Sequence, residues 1–296
     1  MNVWTAWQIG MRTKTGGDGS LRAVLMQLLR NLHRPEKFSW TLRPIDFLRY
    51  REFDFALRTL SELPQPDRIL DLASPKLLPL TMAANLPDAQ CYSTDILSNE
   101  VDWVQGKSQL LGLSNLNCQT QDARRLSFPS DHFDVVTSVS VLEHIAPEQG
   151  GDEPAIMEIA RVLRPGGIAI VTVPAAKTYF ADFHRGNVYE RQSDGQPIFF
   201  QRFYTPDMIQ RNFIDLPGFK PLSIQFIEER GYVENPKHRI TRWVNCSPMQ
   251  NLIFGPLFPL LSHIFLSPPR PWAKCRKPYI ACMVLQKPRT ALRAAA

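Results

Sequence analysis

Hydrophobic and polar positions follow two regimes along the chain. Up to residue 66 the spacing is helical. Leu21, Val24, Leu25, Leu28, Leu29 and Leu32 recur on one face between Ser20 and His33, with Arg22, Arg30 and Arg34 off it. A second helix is predicted from Pro44 to Leu63, with Pro in its first turn and Pro64 and Pro66 behind it. Residues 1–66 therefore read as an N-terminal helical cap. From Arg68 the pattern switches to short apolar runs separated by helical stretches. Strands are predicted at Arg68–Ala73, Ala89–Asp95, Leu116–Gln121, Phe133–Ser138 and Ile168–Val173, and helices at Lys76–Asn85, Asn99–Leu111 and Glu153–Leu163. Such alternation predicts an α/β fold: a doubly wound, Rossmann-like sheet, mostly parallel, with helices on both faces.

After Pro174 the pattern loosens. Residues 175–203 read as a long loop or short-helix segment, a length that is usually functional or disordered. Pro206–Ile214 reads as a helix with Thr205 as its N-cap. Leu222–Glu228 and Tyr279–Leu285 read as strands that pair at the sheet edge, with residues 232–277 inserted between them. Residues 67–296 are thus expected to form one domain behind the cap.

Chemistry gathers at the strand ends. Ile69, Leu70 and Leu72 are the apolar run of a strand covered on both faces, and Asp71 stands at its C-terminal edge, where open α/β sheets bind ligands. Asp95 ends the second predicted strand, where a carboxylate accepts hydrogen bonds from both hydroxyls of a ribose. Asp122 ends the third, placed to receive the exocyclic amine of an adenine. One strand-end Asp serves turns as readily as ligands; three at successive strand ends point to a nucleoside-like ligand.

Three ordered blocks then carry a resemblance. Leu126-Ser127-Phe128-Pro129-Ser130-Asp131-His132-Phe133-Asp134-Val135-Val136 resembles the LPF-x-D-x-x-FD-x-V signature of class I S-adenosylmethionine-dependent methyltransferases. Ser140-Val141-Leu142-Glu143-His144-Ile145 resembles the S-x-VLEH that follows it, and Glu158-Ile159-Ala160-Arg161-Val162-Leu163-Arg164-Pro165-Gly166-Gly167 resembles E-x-x-RVLKPGG. The likeness covers roughly residues 65–230 and is nearest the type 11-like, small-molecule branch. It implies a seven-stranded sheet with an antiparallel last strand and S-adenosyl-L-methionine as cofactor. It further implies cofactor contacts from Asp71, Ala73, Ser74, Asp95, Ile96, Asp122, Ala123 and Ser138. The Pro165-Gly166-Gly167 turn is structural, its glycines supplying positive φ.

The chain departs from the family in its first loop. The glycines of D-x-G-x-G-x-G fall on Ala73, Pro75 and Leu77. Ser74 is expected to offer its hydroxyl, and Lys76 its charge, to the amino-acid end of the cofactor. A sulfonium cofactor has no phosphate to cradle, so missing glycines harm it less than they harm a nicotinamide dinucleotide. They also leave open a non-catalytic binding protein that keeps the fold.

Methyl transfer needs a positioned acceptor and, for a hydroxyl or acidic carbon, a base. His144, after the fourth predicted strand, is the candidate base; packing near the cofactor is its other reading. Tyr179, His184 and Tyr189 in the following loop are second candidates for the base, and Tyr179 and His184, with Arg202 and Tyr204 in Phe199-Phe200-Gln201-Arg202-Phe203-Tyr204, are candidate acceptor contacts. The aromatics beside Arg202 suit an apolar acceptor with an anionic group, or a hydrophobic plug.

Charge adds one feature. Residues 67–231 hold 14 Lys and Arg against 21 Asp and Glu, whereas residues 232–296 hold 10 against 1, in a chain of net charge +6. Arg242 to Arg270 encloses no charge at all, and Arg270, Lys274, Arg276 and Lys277 follow. An apolar segment beside a basic cluster fits peripheral contact of residues 243–277 with an anionic membrane surface, a lipid-like acceptor, or a lid packed on the domain. Pro256 and Pro259 break the run needed to span a bilayer. Cys91, Cys118, Cys246, Cys275 and Cys282 are scattered, which argues against a metal site or a disulfide framework. With no secretory signal pattern, a reducing, cytoplasmic setting is expected, peripheral on the inner membrane surface if the insert binds lipid. Nucleic acid is not an expected partner.

Overall fold

A computed structural model of the chain describes residues 48–230 and 258–289. The helix expected at Ser20–His33, the first residues of the Pro44–Leu63 helix, the centre of the insert and the C-terminal tail lie outside the described residues. These fall into two compact units. One holds helix α1 (Arg49–Glu62) with residues 227–230 and 258–270; the other holds residues 63–226 and 271–289. The division differs from the expected one, because part of the insert groups with the N-terminal helix. The Arg51 guanidinium on α1 donates to the Leu266 carbonyl at 3.1 Å, just beyond helix α6 (Phe258–Phe265).

The larger unit is built on β1 (Arg68–Leu72), β2 (Gln90–Asp95), β3 (Leu116–Thr120), β4 (Phe133–Val139), β5 (Leu163–Pro174), β8 (Lys220–Glu228) and β9 (Pro278–Gln286). The strand order is β3-β2-β1-β4-β5-β9-β8. The ladders β1–β2, β2–β3, β1–β4 and β4–β5 are parallel, and β9 runs antiparallel to β5. The expected seven-stranded sheet and its antiparallel strand are therefore present. Ile69, Leu70 and every residue of β4 are buried, which is why these strands read as continuous apolar runs. From β1 the chain winds one way through β2 and β3, then returns to β4 on the other side. The switch point between β1 and β4 opens a crevice at their C-terminal ends.

Helices α2 (Leu77–Asn85), α3 (Ser98–Leu111) and α4 (Glu153–Val162) connect the strands. In α4, Ala155, Ile156, Ile159 and Val162 are buried, a one-faced spacing that packs against the sheet. Gly112 ends α3 at φ 71, the left-handed cap that glycine supplies. Strand β5 begins at Leu163, earlier than its apolar run suggests, because Leu163 already pairs with Phe133 before the ladder shifts. The segment expected as a loop contains a separate hairpin, β6 (Phe180–His184) paired antiparallel with β7 (Ile198–Phe203). Beyond it, Thr205 caps α5 (Pro206–Ile209), its hydroxyl accepting the Met208 N–H at 3.3 Å. No helix among the described residues is long and apolar enough to cross a membrane.

Candidate active site

The end of β1 is the pivot. Asp71 is fully buried. Its Oδ1 accepts the Thr137 hydroxyl at 2.8 Å and its Oδ2 accepts the Ser74 N–H at 3.2 Å. Burial outweighs these bonds and pushes the carboxyl from its ordinary 3.8 up to about 7. Ala73 takes φ 52, and its N–H donates to the Thr94 carbonyl at 2.8 Å, pinning the turn to β2. Ser74 points inward: its hydroxyl hydrogen-bonds Asp71 and accepts the Val139 N–H at 2.9 Å, tying the ends of β1 and β4 together. Lys76 pairs with Glu100 of α3 and lies 5.2 Å from the centre of the Trp103 ring. The two side chains expected to meet the amino-acid end of the cofactor are thus engaged within the protein.

Asp95 and Asp122 stand where the sequence places them. Asp95 is half-buried at the end of β2; its Oδ1 accepts the Leu97 N–H at 2.9 Å, and burial raises its carboxyl. Ile96 beside it is exposed and offers an apolar surface. The Gln121 N–H donates to the Asp95 carbonyl at 2.9 Å, which carries the chain from β3 directly to Asp122 and Ala123. Both Asp122 oxygens are held by Arg124, at 3.0 Å from Nε and 2.7 Å from Nη2, and this pairing keeps the carboxyl below the usual range. Asp71 and Asp95 raise the question of mutual repulsion, and the Asp95 charge does push the Asp71 carboxyl further up. On β4, Ser138 is buried and its hydroxyl has no hydrogen-bond partner among the described residues.

These side chains fit the implied cofactor. Asp95, half-buried, and Asp122, engaged by Arg124, end adjacent strands beside Ile96 and Ala123, which is the set of side-chain types a nucleoside would need. The Ser138 hydroxyl is buried in β4 and has no hydrogen-bond partner among the described residues. Among the described residues no group of three or more His, Cys, Asp or Glu side chains is arranged to hold a metal ion.

His144 ends a short 3-10 turn, Leu142–His144, directly after β4. Its Nδ1 lies 2.8 Å from the Phe200 carbonyl, which only accepts, so Nδ1 carries the proton. Its Nε2 lies 3.6 Å from the buried Glu143 carboxylate. The ring packs 5.2 Å from Tyr189 and 4.8 Å from Phe200. His184 stacks on the other part of this cluster, 4.0 Å from Phe200. The Tyr179 hydroxyl donates to Glu148 at 2.6 Å; burial and that carboxylate push the phenol up to about 12. The structure therefore brings His144, His184 and Tyr189 together on one aromatic group, and holds Tyr179 on Glu148.

Arg202 and Tyr204 do not face an acceptor. Arg202 is 1% exposed and Tyr204 is 0% exposed, so neither has surface to offer one. Arg202 pairs with Asp152 and also donates to the Pro147 carbonyl at 2.6 Å. The Tyr204 hydroxyl donates to the same carboxylate at 2.8 Å, and Asn212 Nδ2 reaches it at 3.3 Å. A guanidinium buried on β7 requires a buried anion, and Asp152 supplies it from the start of α4. The result braces the 145–152 turn that follows His144. Gly151 is required in that turn, since a Cβ there would sit 2.3 Å from the Ala146 carbonyl carbon. Sequence reasoning missed Asp152, whose position before α4 suggests a helix cap; it makes no side-chain cap bond.

Comparison with known proteins bears on the fold that carries these residues. Residues 52–171 match a family model described as a methyltransferase domain. An S-adenosylmethionine-dependent methyltransferase from Methanosarcina mazei superposes with a TM-score of 0.51 at 15% identity, covering 77% of this chain and 95% of that one. The (4+2)-cyclase SpnF superposes with a TM-score of 0.50 at 19% identity, covering 81% of each chain. At these identities the likeness is one of fold. The matched segment, the strand order and the ordered sequence blocks agree: residues 52–171 are similar to a methyltransferase domain, and the sheet has the fold of the solved S-adenosylmethionine-dependent methyltransferase.

Proposed function

We propose that this protein transfers a methyl group from S-adenosylmethionine to a small acceptor, apolar or lipid-like in character. The supporting observation is the convergence of Asp71, Asp95 and Asp122 on the ends of three adjacent parallel strands. The cofactor supplies a methyl already activated on a sulfonium. The chain's own contribution is then to bind, orient and exclude water. Asp95 accepts the ribose hydroxyls and Asp122 the adenine amine. Ile96 and Ala123 cover the ring, Ser138 gives a hydroxyl, and Asp71, Ala73 and Ser74 hold the turn between them. His144 donates its Nδ1 proton to the Phe200 carbonyl, so Nε2, 3.6 Å from the Glu143 carboxylate, is the nitrogen that would take a proton from a hydroxyl or acidic-carbon acceptor. Phe200, His184 and Tyr189 form the aromatic surface on which an apolar acceptor lies.

A non-catalytic binding protein is the second reading. It is favoured by the inward engagement of Ser74 and Lys76. Calorimetric titration of the folded chain with S-adenosylhomocysteine tests the first reading, and absence of heat would overturn it. Binding followed by no loss of function in Asp95→Ala would favour the second.

A further inference from the structure

The β6–β7 ladder skips one residue. Asp182 pairs with Gln201 and Phe183 with Phe199, so Phe200 is the extra residue of a β-bulge. A bulged residue is left out of the ladder, and its backbone can turn elsewhere. The Phe200 carbonyl turns onto His144 and accepts the Nδ1 proton at 2.8 Å. That bond chooses the tautomer. A neutral imidazole carries one proton, so a carbonyl fixed on Nδ1 leaves Nε2 bare.

Two residues further along β7, Arg202 fixes where that carbonyl stands. Its Nη1 pairs with Asp152, and its Nη2 donates to the Ile145 carbonyl at 2.5 Å and the Pro147 carbonyl at 2.6 Å. Ile145 directly follows His144, so one guanidinium joins β7 to the first and last residues of the turn behind the imidazole. The planar fork meets three fixed acceptors at once, which the point charge of an ammonium does not. Asp152 is held in turn by the Tyr204 hydroxyl and by Asn212. Arg191, which closes a tight turn with Val188 in the β6–β7 connector, adds a weaker bond to the His144 carbonyl at 3.3 Å. A displacement of β7 by about 1 Å would take the Phe200 carbonyl out of hydrogen-bond reach of Nδ1.

We infer that Arg202 is the positioning residue of His144: by locking β7 onto the 145–152 turn, it keeps the bulged Phe200 carbonyl on Nδ1 and Nε2 unprotonated. The proton of a hydroxyl or acidic-carbon acceptor then goes to Nε2, while the acceptor atom takes the methyl and the cofactor sulfur keeps the bonding pair. The imidazolium so formed donates from Nδ1 to Phe200 and has the Glu143 carboxylate 3.6 Å from Nε2. Arg202 has no surface to offer an acceptor and acts through His144. This gives the buried guanidinium a role that an apolar residue of its size could not fill. The inference rests on the reading of His144 as the base.

The test reads the tautomer of His144 in the full chain by long-range proton–nitrogen NMR at about pH 8, where an ordinary imidazole is neutral. The signal is assigned by its loss in His144→Gln. The wild type should show the Nδ1-protonated form in roughly tenfold excess, the bias of one good hydrogen bond. Arg202→Lys keeps a charge opposite Asp152 but not the fork, and the excess should fall to about twofold or less. Arg202→Met/Asp152→Asn removes the buried charge pair as a unit; urea denaturation should show it more stable than Arg202→Met alone, with the excess still lost. Tyr204→Phe removes one bond to Asp152 and none to the turn carbonyls, and should leave the excess unchanged. An excess retained in Arg202→Lys or in the folded double variant would overturn the positioning role and leave His144 standing as the base. Equal loss in Tyr204→Phe would also overturn it, by showing that any loosening of the network suffices. A wild type protonated on Nε2 would overturn the base reading and the positioning role together.

Discussion

Asp71→Asn replaces a buried carboxyl by an amide of the same shape and isolates the cost of its charge. The side chain is 0% exposed, and burial raises its pKa from 3.8 to about 7 despite hydrogen bonds from Ser74 and Thr137. Below about pH 4 the folded and unfolded chains both carry the proton, and the site costs nothing. Between about pH 4 and 7 the unfolded chain has lost the proton and the folded chain keeps it, so stability falls as pH rises. Above about pH 7 the penalty is complete, and at 1.36 kcal/mol per pH unit it amounts to about 4 kcal/mol. Asparagine reproduces the neutral form. Its carbonyl accepts the Ser74 N–H, and its NH2 donates to Thr137, whose hydroxyl turns to the Leu70 carbonyl 3.5 Å away. The variant should therefore gain about 2–3 kcal/mol on the wild type between pH 5 and 7. Urea denaturation of both proteins at pH 5, 6, 7 and 8, followed by circular dichroism, reads the difference. Parallel stability profiles would refute the reasoning. A wild type that gains on the variant with rising pH would refute it more strongly, because that is the sign of a carboxylate stabilised in the fold.

Ser138→Ala removes a buried hydroxyl with no partner among the described residues, so stability should hold within about 0.5 kcal/mol while S-adenosylhomocysteine affinity falls about threefold to tenfold; unchanged calorimetric affinity would remove Ser138 from the site. Arg202→Met strands the Asp152 carboxylate among Tyr204 and Asn212 and should cost about 3–5 kcal/mol in chemical denaturation. The double variant Arg202→Met/Asp152→Asn should recover more than half of it, and additive losses would contradict the pairing. Ala73→Gly relieves a left-handed alanine and should raise the thermal midpoint, by up to about 1 kcal/mol of stability after the entropy of the added glycine; a lower midpoint would show that the Ala73 methyl packs to greater effect.

What was legible in the sequence is what local pattern encodes. Strands β1, β2, β3 and β4 end within a residue or two of their expected limits; β1 and β4 are buried strands that show as apolar runs, while β2 and β3 are more polar and were placed by their spacing between helices. The acids at their ends follow from the strands. The β6–β7 hairpin was not legible. Its strands are separated by residues 185–197, and the tight turn inside that connector carries Tyr189-Glu190 where the recognisable signal is Asn-Gly or Asp-Gly. Ser74 and Arg202 were misread for a common reason. Their partners, Val139 and Asp152, lie 65 and 50 residues away in sequence. A hydroxyl or guanidinium shows its chemistry in the sequence, but which side of the sheet consumes it is decided by the topology.

The glycine-free loop can now be judged position by position. Of Ala73, Pro75 and Leu77, only Ala73 adopts positive φ. The path of the turn thus needs one left-handed residue, and alanine fills it at modest strain. Pro75 precedes α2 and its carbonyl accepts the Leu78 N–H at 2.8 Å; the N–H it lacks falls beside a first helical turn, where such groups have no helical partner. Leu77 begins α2 with ordinary helical geometry. The backbone shape of the loop is therefore intact, and what the substitutions remove is backbone N–H donation and close approach to a ligand. A phosphate would suffer most from that loss. A sulfonium cofactor with a free amino-acid end suffers less, provided side chains elsewhere meet its polar groups. Ser74 and Lys76 are engaged within the protein, so that demand falls on the opposite wall of the crevice, the end of β4. The Ser138 hydroxyl, buried in β4, has no partner among the described residues, so its removal should leave stability nearly unchanged, and its effect on cofactor affinity tests whether β4 meets that demand.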